Sequence, residues 1–182
     1  WLVVLGAGGG IGLAAVDVGR SLGARVIAAA GSADKRAAAL AAGAEVAIDY
    51  ETEDLKARIR EITGGGADVV VDPVGDRFAE PALRALRPFG RFLVVGFAAG
   101  SIPRLPANLV LLENRTVVGI DWGAWTRHDP AGNQALVDDV LGGIAAGRFR
   151  PPAPVAFALE DAGEALARFA ERKVTGKLVL VP

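Results

Sequence analysis

The chain has 182 residues, with 20 lysines and arginines against 21 acids and a formal net charge of −1. That interspersed balance gives no electrostatic basis for a nucleic-acid or anionic-membrane partner, and no apolar run approaches the roughly 18 residues of a membrane span. Cysteine is absent, which excludes disulfides and thiolate metal ligands and fits a cytoplasmic protein.

Trp1 opens directly into a strand, with no basic leader, and a chain that starts inside a core strand is expected to be a fragment of something longer. Leu2 to Leu5 is an unbroken apolar run, as in a parallel strand buried on both faces. Ile11, Ala15, Val18 and Leu22 then recur at helical spacing, and Gly23 supplies a stop. Arg25 to Ala30 reads as the second strand. Ser32 caps a helix through Leu40 that ends by Gly43. Glu45 to Ile48 is the third strand, and Thr52 caps a helix carrying Leu55, Ile59 and Ile62 until Gly64. Asp68 to Asp72 is the fourth strand. A helix carrying Phe78, Ala82 and Leu86 follows, then a turn at Pro88 to Gly90. Arg91 to Val95 is the fifth strand, Phe97 to Pro106 a loop, and Asn108 to Glu113 a short helix. Thr116 to Asp121 is the sixth strand. A long helix after Pro130 carries Leu136, Val140 and Ile144 and stops at Gly147. Beyond Pro151, Pro152 and Pro154 come a strand from Val155 to Leu159, a helix around Leu166 and Phe169, and a strand from Lys177 to Val181.

Strands alternating with helices predict an α/β fold, a doubly wound parallel Rossmann sheet of about six strands in the order 3-2-1-4-5-6, with helices on both faces. Residues 1–150 form that domain and 151–182 a tail. A ligand is expected at the switch between the first and fourth strands.

The stretch Leu5-Gly6-Ala7-Gly8-Gly9-Gly10-Ile11-Gly12 runs from the first strand into the first helix. Ile11 stands where a strict G-x-G-x-x-G frame from Gly6 would end in glycine. In the frame from Ala7 the pattern is A-x-G-x-x-G. Gly9 then lets the backbone approach a pyrophosphate, and Gly12 lets helix and strand pack closely. Gly10 and Ile11 open a helix whose free N–H groups and dipole favour phosphate. The bland alternative is a glycine-rich turn with no ligand.

An NAD site usually has an acid at the end of the second strand, bonded to the ribose 2′-hydroxyl. Here that place reads Ala28 to Ala30, then Gly31 and Ser32, with Lys35 and Arg36 one turn on. Cations without the acid suit the 2′-phosphate of NADPH, although Lys35 and Arg36 also read as ordinary solvated helix residues. His128, the single histidine, lies in a polar loop with no visible partner. Asp49, Asp68 and Asp72 flank strands as turn formers. Trp122 and Trp125 read equally as pocket wall or as a contact surface. No residue stands out as a nucleophile or general acid, which agrees with hydride transfer carried by a cofactor. A non-catalytic cofactor-binding module fits the same pattern.

The sequence resembles the zinc-independent NADPH:quinone oxidoreductases of the medium-chain dehydrogenase/reductase superfamily. The matching stretches are Gly6 to Gly12, Leu22 to Ile27, Gly43-Ala44 with Ile48-Asp49-Tyr50, Asp72 to Gly75, Gly90 to Phe97, Pro103 to Asn108 and Thr175-Gly176-Lys177. Gly8 departs from the usual alanine, a difference expected to cost little. The resemblance implies that Ser32, Lys35 and Tyr50 hold the 2′-phosphate, and that Val74, Gly96, Phe97 and Ala98 lie along the cofactor. Tyr50 also reads as an ordinary half-buried aromatic at a strand end. The resemblance further implies a quinone or conjugated carbonyl as substrate, with enoyl reductase and alcohol dehydrogenase as alternatives. It implies an N-terminal GroES-like domain against which residues 151–182 pack, and a homodimer through the edge strand Thr116 to Asp121.

Overall fold

A computed structural model describes all residues from Trp1 to Pro182. The elements alternate from the start: β1 (Leu2–Leu5), α1 (Gly10–Ser21), β2 (Val26–Ala29), α2 (Ala33–Ala41), β3 (Val46–Ile48) and α3 (Leu55–Thr63). Next come β4 (Ala67–Asp72), a 3-10 turn (Asp76–Phe78), α4 (Ala79–Arg84), β5 (Leu86–Val94), α5 (Ala107–Leu111) and β6 (Thr116–Gly119). The remainder is α6 (Trp122–His128), α7 (Pro130–Ala145), β7 (Val155–Ala158), α8 (Ala162–Ala170) and β8 (Leu178–Val181). Six parallel strands form one sheet in the order β3-β2-β1-β4-β5-β6. The two tail strands do not join it; β7 pairs with β8, parallel, in a sheet of their own.

The central strands are apolar on both sides because both sides are covered. Val3, Leu5, Ile27, Val70 and Phe92 face α3 and α4, and Val4, Val26 and Ala28 face α1 and α2. Successive side chains alternate faces, so each continuous run feeds two cores.

Several sequence expectations need correction. The buried side of α1 is Gly12, Leu13, Val16, Asp17 and Gly19, whereas Ile11 is 57% and Leu22 75% exposed. The helix lies so close to the sheet that glycine marks its contact line. A Cβ on Gly19 would meet Leu2 Cδ2 at 2.4 Å. Asp54, not Thr52, caps α3, accepting the Ala57 N–H at 2.9 Å. Leu86 belongs to a strand rather than a helix: it pairs with Ala67, and the expected turn at Pro88 to Gly90 is an irregularity inside β5. There Phe89 takes φ +64 and its N–H donates to the Glu113 carbonyl at 2.9 Å. Finally, the polar loop around His128 is helical, with Asp121 capping α6 through the Ala124 N–H.

Candidate functional site

β1 leaves the sheet at Gly6, whose φ of +59 suits glycine, and where a Cβ would meet Val74 Cγ2 at 2.7 Å. Ala7 is buried and donates its N–H to the Ala29 carbonyl at 3.1 Å, tying the turn to β2. Gly9 caps α1 without any side-chain hydrogen bond. The Ile11 and Gly12 N–H groups therefore have no acceptor within the chain. Free donors at the positive end of a twelve-residue helix form an anion cradle. Gly8 is more constrained than its sequence suggests. A Cβ there would sit 2.4 Å from Lys35 Cβ and 2.8 Å from Lys35 Cα, so alanine would press on the first turn of α2.

Three joined clefts run along the carboxyl ends of the strands. The first, of about 390 Å³, lies between Lys35, Tyr50 and Arg172 and reaches Gly9 and Gly10. The second, of about 230 Å³, follows Gly6 to Gly12 past Val74 and Ala98. The third, of about 610 Å³, opens between Ile11, Gly96, Phe97, Ile120 and Trp122. Gly9, Gly10, Val74 and Ala98 line both of the first two, and Ile11 both of the last two. The result is one trough with a charged end and an apolar end.

At the charged end, Ser32 caps α2 by accepting the Lys35 N–H at 3.4 Å. The Lys35 ammonium donates to the Arg172 carbonyl at 2.7 Å. Burial lowers its pKa, and the Arg172 charge adds to that. Tyr50 stacks on Phe78 with ring centroids 4.2 Å apart, and burial raises the pKa of its hydroxyl. Arg36 is drawn away from the trough: it pairs with Asp49 at 2.9 Å and donates to the Ala30 carbonyl at 3.2 Å.

The sequence reading missed Glu51, Arg172, Val174 and Gly176 on this wall. Three of these come from the tail, which docks on the glycine turn through a 2.8 Å hydrogen bond from the Gly176 N–H to the Gly8 carbonyl. Only the Thr175-Gly176-Lys177 match pointed toward that segment.

At the apolar end, Asp72 organises the loops after β4 and β5. Its carboxylate accepts the Val74 and Gly75 N–H groups, both at 2.8 Å, and its carbonyl accepts the Val95 N–H at 2.9 Å. Ala98 donates to the Pro73 carbonyl at 3.0 Å. These bonds set Phe97, 40% exposed, at the trough mouth beside Trp122, while Trp125 lies outside the cleft lining. Burial pushes the Asp72 carboxyl pKa up, against the pull of the Gly75 and Val74 donors. A raised folded-state pKa contributes stability below the ordinary carboxylate range and loses it as pH climbs through the folded value. Urea unfolding from about pH 4 upward should therefore show wild type losing stability relative to Asp72→Asn. Parallel pH profiles would contradict this.

The sheet order, the glycine turn and the trough define a Rossmann-type domain. The family described as zinc-binding dehydrogenase matches residues 10–138, and the chain belongs to it, as a quinone oxidoreductase-like domain of the medium-chain dehydrogenase/reductase superfamily. Quinone oxidoreductase-like protein 2 of Bos taurus is 39% identical over 182 residues, covering 98% of this chain and 52% of the relative. A quinone oxidoreductase of Pseudomonas syringae superposes with a TM-score of 0.88 at 28% identity, covering 100% of this chain and 56% of that one. The Escherichia coli quinone oxidoreductase complexed with NADPH gives 0.86 at 28% identity, with coverage of 100% and 56%. The chain thus spans about half the length of the relatives it matches. Zinc does not fit the residues present: no three His, Cys, Asp or Glu side chains cluster, and His128 stands exposed at the end of α6.

Proposed function

We propose that this chain is the NADPH-binding portion of an oxidoreductase that reduces a quinone or a similar conjugated carbonyl. One observation carries the reading: the trough joins a cationic pocket, an uncapped helix end and an apolar mouth in the order of a dinucleotide's own parts. Lys35 and Arg172 offer charge-assisted donors to a 2′-phosphate, with Ser32 and Tyr50 beside them. The Ile11 and Gly12 N–H groups receive the pyrophosphate, and Gly9 leaves the backbone bare where it approaches. Val74 and Ala98 wall the middle. Gly96 and Phe97 face the reacting end and exclude water there. Bound NADPH supplies the hydride, and the protein supplies position and surroundings. The substrate then occupies the mouth over Phe97, between Ile120 and Trp122.

Residues 151–182, in this reading, tie the domain to an N-terminal domain that completes the cleft. Exposed apolar side chains on this segment, including Leu159, Leu166 and Val181, support it. The protein pairs through β6 into a homodimer.

Lys35→Ala tests the cofactor assignment. Losing a charge-assisted phosphate contact should weaken NADPH by about tenfold or more and leave NADH nearly unchanged in calorimetric titration. Equal losses for both dinucleotides would sink it. Turnover of the full-length protein with NADPH and a quinone separates an enzyme from a binding module.

A further inference from the structure

Two residues beyond the end of β2 stands Gly31, a position with no side chain to meet a ribose. The space a side chain would enter there is already filled from the turn after β3. A Cβ built on Gly31 would lie 2.9 Å from Glu51 Cγ and 3.3 Å from Glu51 Oε1. Glu51 follows β3 and is the single acid on the wall of the charged cleft, which it shares with Lys35, Tyr50 and Arg172. The neighbouring acid, Asp49, is taken by Arg36. Glu51 forms an ion pair with Arg77, from the turn after β4, and keeps 44% of its side chain exposed. Arg77 in turn lies over the Phe78 ring, 4.8 Å from its centroid, and Phe78 stacks on Tyr50. Tyr50 lies among these charges: burial is the main cause that raises the pKa of its hydroxyl, Glu51 and Asp49 add to it, and Arg172 and Arg77 oppose it.

A carboxylate at the end of β2 has a definite chemistry. It accepts a hydrogen bond from a 2′-hydroxyl and repels a 2′-phosphate. The cations across the cleft do the reverse. We infer that Glu51, clamped by Arg77, sets the discrimination between NADH and NADPH in this site, so that the protein binds both dinucleotides. This rests on the dinucleotide reading above and goes beyond it, because it assigns the missing acid to the turn after a different strand. Arg77 decides the balance. While it holds Glu51, the carboxylate's charge is largely met and a phosphate is admitted beside Lys35 and Arg172. Without it, the bare carboxylate opposes the phosphate.

The test is calorimetric affinity for NADPH and NADH in the full-length protein, for wild type, Glu51→Gln, Arg77→Ala and the double variant. Glu51→Gln should tighten NADPH by about fivefold and weaken NADH by a similar factor, the scale expected for exposed charges. Arg77→Ala should weaken NADPH and spare NADH. In the double variant the Arg77 effect should shrink, because no carboxylate remains to be neutralised. Thermal midpoints should stay together, since both side chains are exposed. Two results overturn the inference: an unchanged NADPH-to-NADH ratio in Glu51→Gln, or an Arg77→Ala loss equally large when combined with Glu51→Gln. A wild-type protein that binds NADPH while either result holds keeps the dinucleotide reading and discards this one. A wild-type protein that binds neither dinucleotide overturns both.

Discussion

Replacing Gly12 by alanine should destabilise the fold by about 3 kcal/mol, the upper range for a methyl group forced into packed backbone. Replacing Gly9 by valine should instead abolish dinucleotide binding and leave the fold intact. The two glycines stand three residues apart and face different things. A Cβ on Gly12 would sit 2.2 Å from the Gly6 carbonyl oxygen, 2.6 Å from Ala7 Cα and 2.8 Å from Ala7 C. These are backbone atoms of the turn that ends β1, and they cannot rotate aside. The helix would have to lift from the sheet, and Leu13 and Val16, both buried, would lose their packing with it. At Gly9 the nearest atom to a Cβ is the Gly6 oxygen at 3.5 Å, an ordinary contact, and the backbone is extended, with φ −83. Valine is accommodated there by the protein, but it projects into the trough at the uncapped end of α1. Urea unfolding and calorimetric titration of both variants give the check. The assignments would be wrong if Gly12→Ala unfolded like wild type, or if Gly9→Val bound NADPH normally.

The same geometry explains what could be read from the sequence. The strands were legible because burial on both faces leaves apolar runs such as Leu2 to Leu5, and the order of the sheet follows from alternating strands and helices. Beyond Gly12, the buried face of α1 was not, because Gly19 carries no hydrophobic signal and Leu13 and Val16 fall outside the stripe of Ile11, Ala15, Val18 and Leu22. Ile11, which belongs to the apolar pattern, points into the trough instead. Leu86 reads in sequence as the end of a helical stripe because it stands four residues after Ala82. Its true partner, Ala67, lies on another strand, and the irregularity at Phe89 hides the continuity of β5. The glycine turn and Lys35 were legible as local motifs, and Tyr50 only through the family resemblance. Glu51, Arg172 and Gly176 were not, because they reach the cleft by tertiary packing and have no spacing relative to the turn. Arg36 shows the converse: a cation well placed in sequence is engaged by Asp49 in space.

The protein should sediment as a dimer, and Val117→Pro should convert it to a monomer with NADPH affinity largely kept. β6 is the last strand of its sheet, pairing only with β5, and no strand of the tail covers it. Val117 is 39% exposed there. An apolar edge free of proline and lysine presents unpaired backbone groups, and a second copy running antiparallel about a two-fold axis satisfies them. Which residue to change follows from the ladder. The Ile120 N–H donates to the Val94 carbonyl at 2.9 Å. Backbone groups alternate sides along a strand, so Thr116, Val118 and Ile120 turn toward β5, and Val117 and Gly119 turn toward the open edge. Proline at Val118, the middle of the apolar run, would cut a bond to β5 inside the monomer and confuse dissociation with damage. Proline at Val117 removes a donor that only a partner strand would use, at a place where an edge tolerates it. The trough lies at the carboxyl ends of the strands and takes no residue from Thr116 to Val118, which is why cofactor affinity should survive. Wild type sedimenting as a monomer at tens of micromolar, or a Val117→Pro variant that remains dimeric, would refute pairing through this edge.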